Sequence, residues 1–548
     1  MKTFDMLARI VAQEGVTDAF ALLGDANMNF ATRLAEAGCR MIYVRHEHNA
    51  VTAAMAYARK TGKAGFATVT CGPGVTQLMT ALPAAVRARL PLVVLAGEAP
   101  LKSGWYNQAI DQAPFVTATG AAYHALHWPA RMPVAIRDAF LQAARERRPV
   151  VLGVPFDLQN LDWTGQEALP APSAEIAPVV SALPPNPEDV ARATGMVANA
   201  RRIVVMAGLG AVEAGAGPAC RALAEKLDAL LATTLPARGL FHDDPFSLNV
   251  AGGFSHEVAR DCFAEADLVI AVGTSLAHHN ADGGKLWPGA QVLQIDMEPV
   301  AMSQGRRAAQ AHLRGDARLA VKALATALPD RAPDWRCAAL AERIAAACPD
   351  SAAFPPEPGL HDPRDVVAAF EAALPGDWEM VNSSGHCSFY VAHMPSRPNA
   401  RFLTIREFGA IGNGMSFAIG VAVARPDDTV VLFDGDGSLL MHVQELETIA
   451  RHGLNILIVA LNDGAYGSEI HKLRAEGLSD EGAVFGRTDL AAIARGFGVG
   501  GETITDLAAL PDLVEAFSKT GGAAVWDVPI SDRVFSPVIT RAHPPKGH

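Results

Sequence analysis

Residues 429–467 read TVVLFDGDGSLLMHVQELETIARHGLNILIVALNDGAYG. Residues 429–433 form a short β-branched and apolar run, and residues 438–452 carry apolar side chains at helical spacing up to Gly453. Residues 454–461 are almost entirely apolar, as is typical of a strand buried on both faces. The pattern predicts a strand, a helix and a second strand within a parallel sheet.

Polar residues follow both predicted strands. Residues 435–438, GDGS, follow the first strand, and Asn462 and Asp463 follow the second. Glycines let the backbone approach a ligand, and a helix N-terminus offers unpaired N–H groups to an anion. Because the carboxyl ends of parallel strands meet at one sheet edge, Asp436 and Asp463 can converge on a cation. We predict Mg²⁺ bound by these two carboxylates and a backbone carbonyl, bridging to a diphosphate.

A GDG turn also occurs in ordinary parallel sheets, so the motif alone leaves that interpretation open. Its spacing nevertheless resembles the signature of thiamine diphosphate (ThDP) enzymes, a GDG followed by Asn-Asn some two dozen residues later. The resemblance implies metal ligands at Asp436, Asp463 and the carbonyl of Ala465. Asp463 departs from the usual Asn and adds negative charge, which Mg²⁺ can offset.

Composition indicates a large buried α/β protein. The 548 residues suggest about three or four domains, and the chain is 50% hydrophobic and 19% charged with 48 glycines. The net charge of −12 and the lack of a basic cluster argue against a nucleic-acid partner. No apolar run approaches the roughly 18 residues of a membrane span, and no signal peptide is evident. Seven cysteines without a C-x-x-C pair predict buried thiols in the cytoplasm.

Strand and helix patterns alternate through three blocks. We predict an α/β fold of three doubly wound parallel-sheet domains, at residues 1–165, 185–330 and 360–540. Linkers are expected at 168–187 and 328–362, and a disordered tail at 541–548. Predicted strands of the first block are residues 19–23, 40–44, 65–70, 92–96 and 149–154.

The central block contains a weak nucleotide signal. Gly208-Leu209-Gly210 follows a predicted strand, but the third glycine of G-x-G-x-x-G is out of place. FAD in this block is therefore allowed but not favoured.

In the first block, Glu47 follows the second predicted strand and opens a helix at residues 49–60. A carboxylate at this position is most often a helix cap. A second glycine turn, TCGPG at residues 70–74, follows the next strand at the same sheet edge, and Gln112 comes later in a polar and aromatic segment. These neighbours favour a functional site over a cap.

The order of motifs resembles the superfamily of acetolactate synthase, pyruvate decarboxylase and benzoylformate decarboxylase. The motifs are RHEHNA, CGPG, Gln112, SSGH, FGAIGNG, GDGS and NDGAYG, with a central domain after Gln112. The resemblance implies pyrimidine-binding, central and diphosphate-binding domains. It also implies a homodimer or homotetramer in which each cofactor lies between the first domain of one subunit and the third domain of its partner.

The resemblance further implies individual roles. Glu47 would bind the pyrimidine N1′ and favour the imino tautomer that takes the thiazolium C2 proton. Ile411 would wedge beneath the two rings, although by itself it would be interpreted as core packing, and the Gly409 carbonyl would accept from the 4′-amino group. The remaining implied cofactor-binding residues are Gly72, Pro73, Gly74, Ser383, Ser384, Gly385, His386, Gly435, Gly437, Ser438, Asn462, Tyr466 and Gly467.

Two carboxylates favour aldehyde release. Residues 24–27, GDAN, resemble the decarboxylase motif in which Asp25 would relay protons, and Glu469 matches the second acid of those enzymes. Against this, their paired histidines are missing, and Gln112 matches a glutamine of acetolactate synthases. His46 and His48 flank Glu47 as candidate acids.

Other departures argue against a true acetolactate synthase. Residues 275–279, SLAHH, replace the Arg-Phe-Asp-Asp-Arg loop of flavin-containing members, and Lys472 stands where those enzymes have a tryptophan. His278 and His279 match the region of a pocket histidine in benzoylformate decarboxylase, or are a surface pair. We therefore predict a ThDP- and Mg²⁺-dependent 2-oxo acid decarboxylase or carboligase. The alternatives are an acetolactate synthase-like transferase, a diketone hydrolase or 2-hydroxyacyl lyase, and a silent homologue, which the presence of Glu47 disfavours.

Overall fold

The computed structural model describes residues 1–165, 168–299, 309–394 and 396–543. It contains three six-stranded parallel sheets, each flanked by helices. The predicted α/β fold with three doubly wound parallel sheets is confirmed. The predicted domain boundaries stay predictions, and the "first", "central" and "third" domains are the parts of the chain around each sheet.

The first domain contains a sheet of order β2-β1-β3-β4-β6-β5. Its middle strands are buried along nearly their whole length, as their apolar runs predict. Its strands are β1 Asp18–Ala21, β2 Arg40–Tyr43, β3 Gly65–Val69, β4 Leu92–Glu98, β5 Ala122–Ala125 and β6 Pro149–Pro155. Its helices are α1 Thr3–Gln13, α2 Met28–Glu36, α3 Glu47–Thr61, α4 Pro73–Thr76, α5 Ala81–Arg87, α6 Ala113–Ala118, α7 Met132–Glu146 and α8 Phe156–Gln159.

The central domain contains a sheet of order β12-β11-β10-β7-β8-β9. Its strands are β7 Ile203–Ala207, β8 Leu230–Thr233, β9 Ser247–Val250, β10 Leu268–Val272, β11 Gln291–Asp296 and β12 Ala311–Arg314. The helices of this part are α9 Ser173–Ile176, α10 Pro187–Asn199, α11 Leu209–Glu213, α12 Gly217–Lys226, α13 Glu257–Glu265, α14 Ala317–Ala327 and α15 Ala338–Ala345.

The third domain contains a sheet of order β14-β13-β15-β16-β18-β17. Its strands are β13 Glu379–Asn382, β14 Phe402–Thr404, β15 Val430–Gly435, β16 Ile456–Asn462, β17 Gly500–Thr503 and β18 Ala523–Pro529. Its helices are α16 Pro363–Ala373, α17 Cys387–Val391, α18 Gly414–Ala424, α19 Asp436–Met441, α20 Glu445–Arg451, α21 Gly467–Ala475, α22 Leu490–Gly496, α23 Leu510–Thr520 and α24 Pro537–Ala542.

The first and third sheets have the same strand order, because each reads second-first-third-fourth-sixth-fifth along its own strands. Each loop that carries predicted site residues in one domain therefore has a counterpart in the other. The loops after β2 and β14 correspond, as do those after β3 and β15. In each domain these loops lie at the carboxyl edge of the sheet, where α/β proteins bind ligands.

The single helix predicted at residues 438–452 is wrong. The structure has two helices, α19 and α20, with an interruption at residues 442–444. His442 stacks on His48 of the first domain, and the Glu445 carboxylate accepts a hydrogen bond from the Asn49 amide. These contacts between domains override the helical periodicity at this point.

The structure differs from the sequence analysis at three further places. The edge strand β5 was not predicted, because two of its four residues are exposed and its pattern is weak. The expected linker at 168–187 contains the short helix α9 and the first residue of α10. Of the expected disordered tail, residues 541–542 belong to α24 and residues 544–548 lie outside the described part.

Helices α3 and α18 join the first domain to the third. They approach so closely that a Cβ at Gly420 would overlap the Ala53 carbonyl oxygen. The Thr52 hydroxyl donates to Ser416 Oγ across this contact, at 2.7 Å. A buried ion pair, Lys60 to Glu379 at 2.5 Å, lies at the C-terminal end of α3. The N-terminus of α3 and the loop before α18 are thereby held in a fixed relation.

Within the residues that the structure describes, no helix combines the length and the apolar character needed to cross a membrane.

Candidate active site

Glu47 is the first residue of α3, and its carboxylate is unpaired. The capping role belongs to His46, whose Nδ1 accepts from the His48 N–H at 3.1 Å. The Glu47 side chain is partly buried, and its Oε1 would lie 3.7 Å from a Cβ at Gly74. Among the described residues it makes no hydrogen bond or ion pair. The carboxylate is thus held at the glycine turn and is available to a ligand.

The CGPG turn is shaped by Gln112. Gly72 has φ +57°, and a Cβ there would overlap the Gln108 carbonyl, so only glycine fits. The Gln112 Oε1 accepts from the Gly72 N–H at 2.8 Å, and its Nε2 donates to the Gly97 carbonyl at 3.0 Å and the Tyr123 hydroxyl at 3.2 Å. Pro73 and Gly74 then begin α4. The buried Gln112 amide therefore faces the interior of the first domain.

Three loops of the third domain converge at the edge of its sheet. The hydroxyls of Ser383 and Ser438 are 3.1 Å apart, and the Gly412 N–H donates to Ser438 Oγ at 2.8 Å. Ile411 Cγ2 would lie 3.8 Å from a Cβ at Gly385, which has φ +102°. The loops after β13, β14 and β15 thus meet as the motif order implies.

Asp436, which is buried, and Asp463, which is half-buried, form a carboxylate pair. The Gly464 N–H donates to Asp436 Oδ2 at 2.9 Å, and the Ala465 N–H donates to Asp463 Oδ1 at 3.1 Å. Burial raises the pKa of Asp436 to about 6. Burial and the charge of Asp436 raise the pKa of Asp463 to about 8. The two neighbouring carboxylates disfavour being negatively charged at the same time, and a divalent cation bound between them would stabilise the doubly charged form.

Other protein ligands for this cation would have to be backbone oxygens. No group of three or more His, Cys, Asp or Glu side chains in the described ranges is arranged to hold a metal. Ala465 pairs with Val484 in an isolated bridge, whose hydrogen bonds use the Gly464 carbonyl and the Tyr466 N–H. The Ala465 carbonyl is not part of this bridge and fits the predicted role.

The remaining third-domain candidates surround this pair. A Cβ at Gly437 would lie 2.9 Å from the Tyr466 ring, and a Cβ at Gly467 would lie 2.5 Å from Asp463 Oδ2. Asn462 is buried and donates to Asp527 Oδ1 at 2.9 Å. Of the other candidates, Ser384 and His386 are buried, Gly435 ends β15, Gly409 is exposed at φ +74°, and Tyr466 is exposed.

The two predicted proton-relay acids are exposed. Asp25 accepts from the Tyr106 hydroxyl at 3.4 Å, and Glu469 pairs with Lys472 at 3.2 Å. Within the described chain neither acid contacts Glu47. The structure therefore does not assemble the predicted acids with Glu47 in one subunit.

Three histidines meet where the first domain contacts the third. The His442 ring is stacked on that of His48 at 5.1 Å and lies edge-on to that of His46 at 5.2 Å. The His48 Nε2 is 2.6 Å from the Asn413 Oδ1. Burial lowers the pKa of His48 and lowers that of His442 to about 4. His48 thus faces the third domain, and no motif pointed to His442.

Three family models match the chain in the predicted order. They are the N-terminal TPP binding domain of thiamine pyrophosphate enzymes at residues 1–115, the central domain at 190–324 and the C-terminal TPP binding domain at 383–528. The acetolactate synthase large subunit of Parasynechococcus marenigrum is 31% identical over 90% of this chain and 82% of its own length. The chain belongs to the thiamine pyrophosphate enzyme family.

Other thiamine pyrophosphate enzymes are equally similar over their length. A probable 2-ketoarginine decarboxylase of Pseudomonas aeruginosa is 31% identical, covering 94% of this chain and 92% of the relative. The acetolactate synthase isozyme 2 large subunit of Escherichia coli is 30% identical, covering 90% and 89%. The predicted superfamily is confirmed, and the relatives include both a decarboxylase and synthases.

The residues at the sheet edges of the first and third domains fit thiamine pyrophosphate, which is the same molecule as ThDP. Glu47 is an unpaired carboxylate in a TPP-binding domain, and Asp436 and Asp463 offer a cation site in the other. The loops at Gly385 and Gly412 have positive φ, which leaves backbone close to where a ligand would lie. The roles assigned to individual residues stay predictions.

The central domain of this thiamine pyrophosphate enzyme uses its glycine turn for packing. A Cβ at Gly208 would overlap the Gly273 carbonyl, and a Cβ at Gly210 would lie 2.9 Å from the Gly273 Cα. The glycines therefore allow two loops to touch. Nearby, the rings of His278 and His279 are 5.7 Å apart, and burial lowers the pKa of His279.

Proposed function

We propose that the chain is a ThDP- and Mg²⁺-dependent enzyme that cleaves or forms C–C bonds of 2-oxo acids, by decarboxylation with aldehyde release or by acyloin carboligation. The observation that carries the proposal is the unpaired Glu47 carboxylate beside the CGPG turn. A protein that merely stored the cofactor would have no use for a carboxylate at this position. The similarity to a probable 2-ketoarginine decarboxylase supports the decarboxylase branch.

When bound, ThDP supplies a carbanion at C2 of its thiazolium ring, which adds to ketone carbonyls. Glu47 would hold the pyrimidine N1′, and the shielding of this contact from water would strengthen it. The Gly409 carbonyl would accept from the 4′-amino group, and Ile411 would support the two rings. Asp436, Asp463 and the Ala465 carbonyl would hold Mg²⁺ against the diphosphate.

A homodimer or homotetramer with sites between subunits is part of this proposal. Large apolar side chains are exposed beside both groups of site residues, which is typical of surfaces that another chain covers. In the first domain these are Leu23, Leu101, Trp105, Ile110 and Phe115, and in the third domain they are Phe408, Met441, Tyr466 and Phe485. Covering both surfaces by a partner would complete the two half-sites.

The motif matches at Asp25 and Glu469 favour aldehyde release over carboligation. Both side chains are exposed with one partner each, so they are free to face a site that the partner subunit completes. Gln112, which pointed to acetolactate synthases, is fully engaged inside the first domain and favours neither reaction. An acetolactate synthase-like transferase is the second candidate, because several relatives carry that name.

The test is product analysis on protein loaded with ThDP and Mg²⁺. Aliphatic and aromatic 2-oxo acids are supplied in excess, and CO₂ and the organic product are measured. Free aldehyde supports the decarboxylase and a chiral acyloin supports the carboligase. Absence of turnover with the whole panel, while cyclic diketones or 2-hydroxyacyl thioesters are consumed, would replace the proposal by a hydrolase or lyase.

A matched pair of variants tests Glu47. Glu47→Gln should reduce kcat roughly 100-fold or more with an unchanged melting temperature, because its carboxylate has no partner in the described chain. Glu445→Gln is the control, since this buried carboxylate accepts from the Arg45 N–H at 3.0 Å and the Asn49 amide at 2.7 Å. The control should lose stability. Unchanged activity in Glu47→Gln would remove Glu47 from the mechanism.

A further inference from the structure

Arg406 is a half-buried cation whose Nη1 is fully buried and has no acceptor in the described chain. It follows β14 by two residues and begins the loop that carries Gly409 and Ile411. Its Nη1 is buried without a partner, and its guanidinium donates no hydrogen bond to any residue in the described ranges. The next residue, Glu407, points toward Arg59 of the first domain at 3.7 Å. The charge of Glu407 acts on Arg406, but no hydrogen bond or ion pair joins the two side chains.

The comparison with Arg397 shows that this is unusual within the same domain. Arg397 is fully buried and donates to Glu371 at 2.8 Å and to the Leu374 carbonyl at 2.8 Å, although its Nε has no partner. Burying a charge without such partners is costly, and a bound anion would remove that cost. Burial lowers the pKa of Arg406 to about 10, so the side chain remains protonated at neutral pH.

Two aromatic rings hold the guanidinium in place. Its Cζ lies 5.7 Å from the centroid of Phe254 in the central domain and 5.6 Å from that of Phe389 in the third domain. The two rings are themselves 5.5 Å apart. Such faces stabilise the cation and leave its N–H edges free to donate. His279 of the central domain is close enough that the charge of Arg406 contributes to lowering its pKa.

We propose that Arg406 binds a substrate carboxylate that the reaction retains. This inference rests on the proposed function and specifies its substrate class. A cation on the carboxylate that leaves as CO₂ would stabilise the ground state more than the transition state, because that negative charge is lost. The carboxylate bound by Arg406 is therefore a second one, either on the side chain of the 2-oxo acid or on an acceptor oxo acid.

The diphosphate of the cofactor is the other anion that could reach this edge of the sheet. Its predicted contacts lie on the loops of Ser383 and Ser438 and on the carboxylate pair, which would use Mg²⁺ for charge balance. Arg406 instead lies against two neighbouring aromatic rings, one from each of two domains, a setting suited to the carbon chain of a substrate. The experiment separates these two anions.

The kinetic arm compares 2-oxoglutarate with 2-oxopentanoate, which differ by a terminal carboxylate at equal chain length. Arg406→Met should reduce kcat/KM for the dicarboxylate about 10- to 100-fold and change that for 2-oxopentanoate little. Arg406→Lys should recover part of the loss. Arg87→Met is the matched control, because Arg87 stacks on Phe408 of the same loop at 4.8 Å but is exposed. A parallel comparison of pyruvate and acetaldehyde as acceptors assigns the carboxylate to donor or acceptor.

The binding arm does not depend on turnover. Glutarate should raise the melting temperature of the ThDP- and Mg²⁺-loaded wild type and of Arg87→Met, but not that of Arg406→Met, and butyrate should raise none. The affinity for ThDP, from quenching of intrinsic fluorescence, should be equal in all variants. The inference is overturned if Arg406→Met loses ThDP affinity, or if both substrate pairs and glutarate respond alike in all proteins. A glutarate response without any oxo acid turnover would contradict the proposed reaction and leave the carboxylate site supported.

Discussion

Glu47 and Ile411 occupy equivalent positions in two sheets of the same strand order. Glu47 follows β2 and opens α3, and Ile411 follows β14 and lies just before α18. The two helices pack against each other with the Thr52 and Ser416 hydroxyls 2.7 Å apart. One chain therefore carries both of these candidate cofactor-binding residues, each at the corresponding edge of its own sheet.

The carboxylate pair predicts a pH-dependent metal affinity. Mg²⁺ binds the deprotonated forms, and the pKa values of Asp436 and Asp463 are raised to about 6 and about 8. Affinity for Mg²⁺ should therefore strengthen as pH rises from about 6 to about 8.5. Asp463→Asn should bind Mg²⁺ more weakly at the upper end of this range and lose the upper part of the dependence.

The measurement is a Mg²⁺ titration in the presence of ThDP at three pH values, with the melting temperature of the protein as the readout. Asp480→Asn serves as the control, because Asp480 forms a surface pair with Arg474 at 2.7 Å. An Asp463→Asn protein with the wild-type pH profile would show that the pair does not bind the metal.

The contacts of Gln112 predict a structural effect of its removal. Gln112→Ala deprives the buried Gly72 N–H of its acceptor, at an expected cost of about 1–3 kcal/mol in the free energy of unfolding. Chemical denaturation measures this loss, and Gln108→Ala is the control, because Gln108 contacts the same turn through its backbone carbonyl, which the variant keeps. A large fall in kcat without loss of stability would instead assign Gln112 to catalysis.

The histidines between the domains predict acid sensitivity. Burial lowers the pKa of His442 from 6.5 to about 4, so the folded protein binds fewer protons than the unfolded chain between these values. Stability should accordingly fall as pH falls from 6.5 to about 4, with His442 contributing on the order of 2 kcal/mol.

His442→Asn should lose less stability over this range than the wild type, as measured by denaturation at about pH 7 and about pH 5. His242→Asn, a change in the central domain, should behave as the wild type does. Equal pH dependence in all three proteins would mean that His442 titrates normally.

Chain order and sheet geometry made part of the site predictable from the sequence. The meeting of Ser383 and Ser438 was expected from the family resemblance, and it arises because neighbouring parallel strands bring their carboxyl ends to one edge. The same holds for Asp436 and Asp463, which one crossover connects.

Features that depend on contacts between segments distant in the sequence were not predictable. The helix after the GDGS motif is interrupted because His442 packs on another domain. Gln112 turns inward because the Gly97 carbonyl and the Tyr123 hydroxyl need hydrogen-bond partners there. Arg406 belongs to no motif that the sequence analysis singled out, and its contacts with Phe254 and Phe389 and its lack of an acceptor in the described chain are visible only in the structure.

The close contact between α3 and α18 at Gly420 connects two separate cofactor sites. If each cofactor lies between subunits, Glu47 of one chain serves one cofactor and Ile411 of that chain serves the other. Sliding α3 along α18 by one helical residue, a step of about 1.5 Å, would break the 2.7 Å hydrogen bond between Thr52 and Ser416 beside the close contact of Ala53 with Gly420. Each chain would then connect two cofactor sites rigidly, so that a displacement of residues at one site moves the residues at the other.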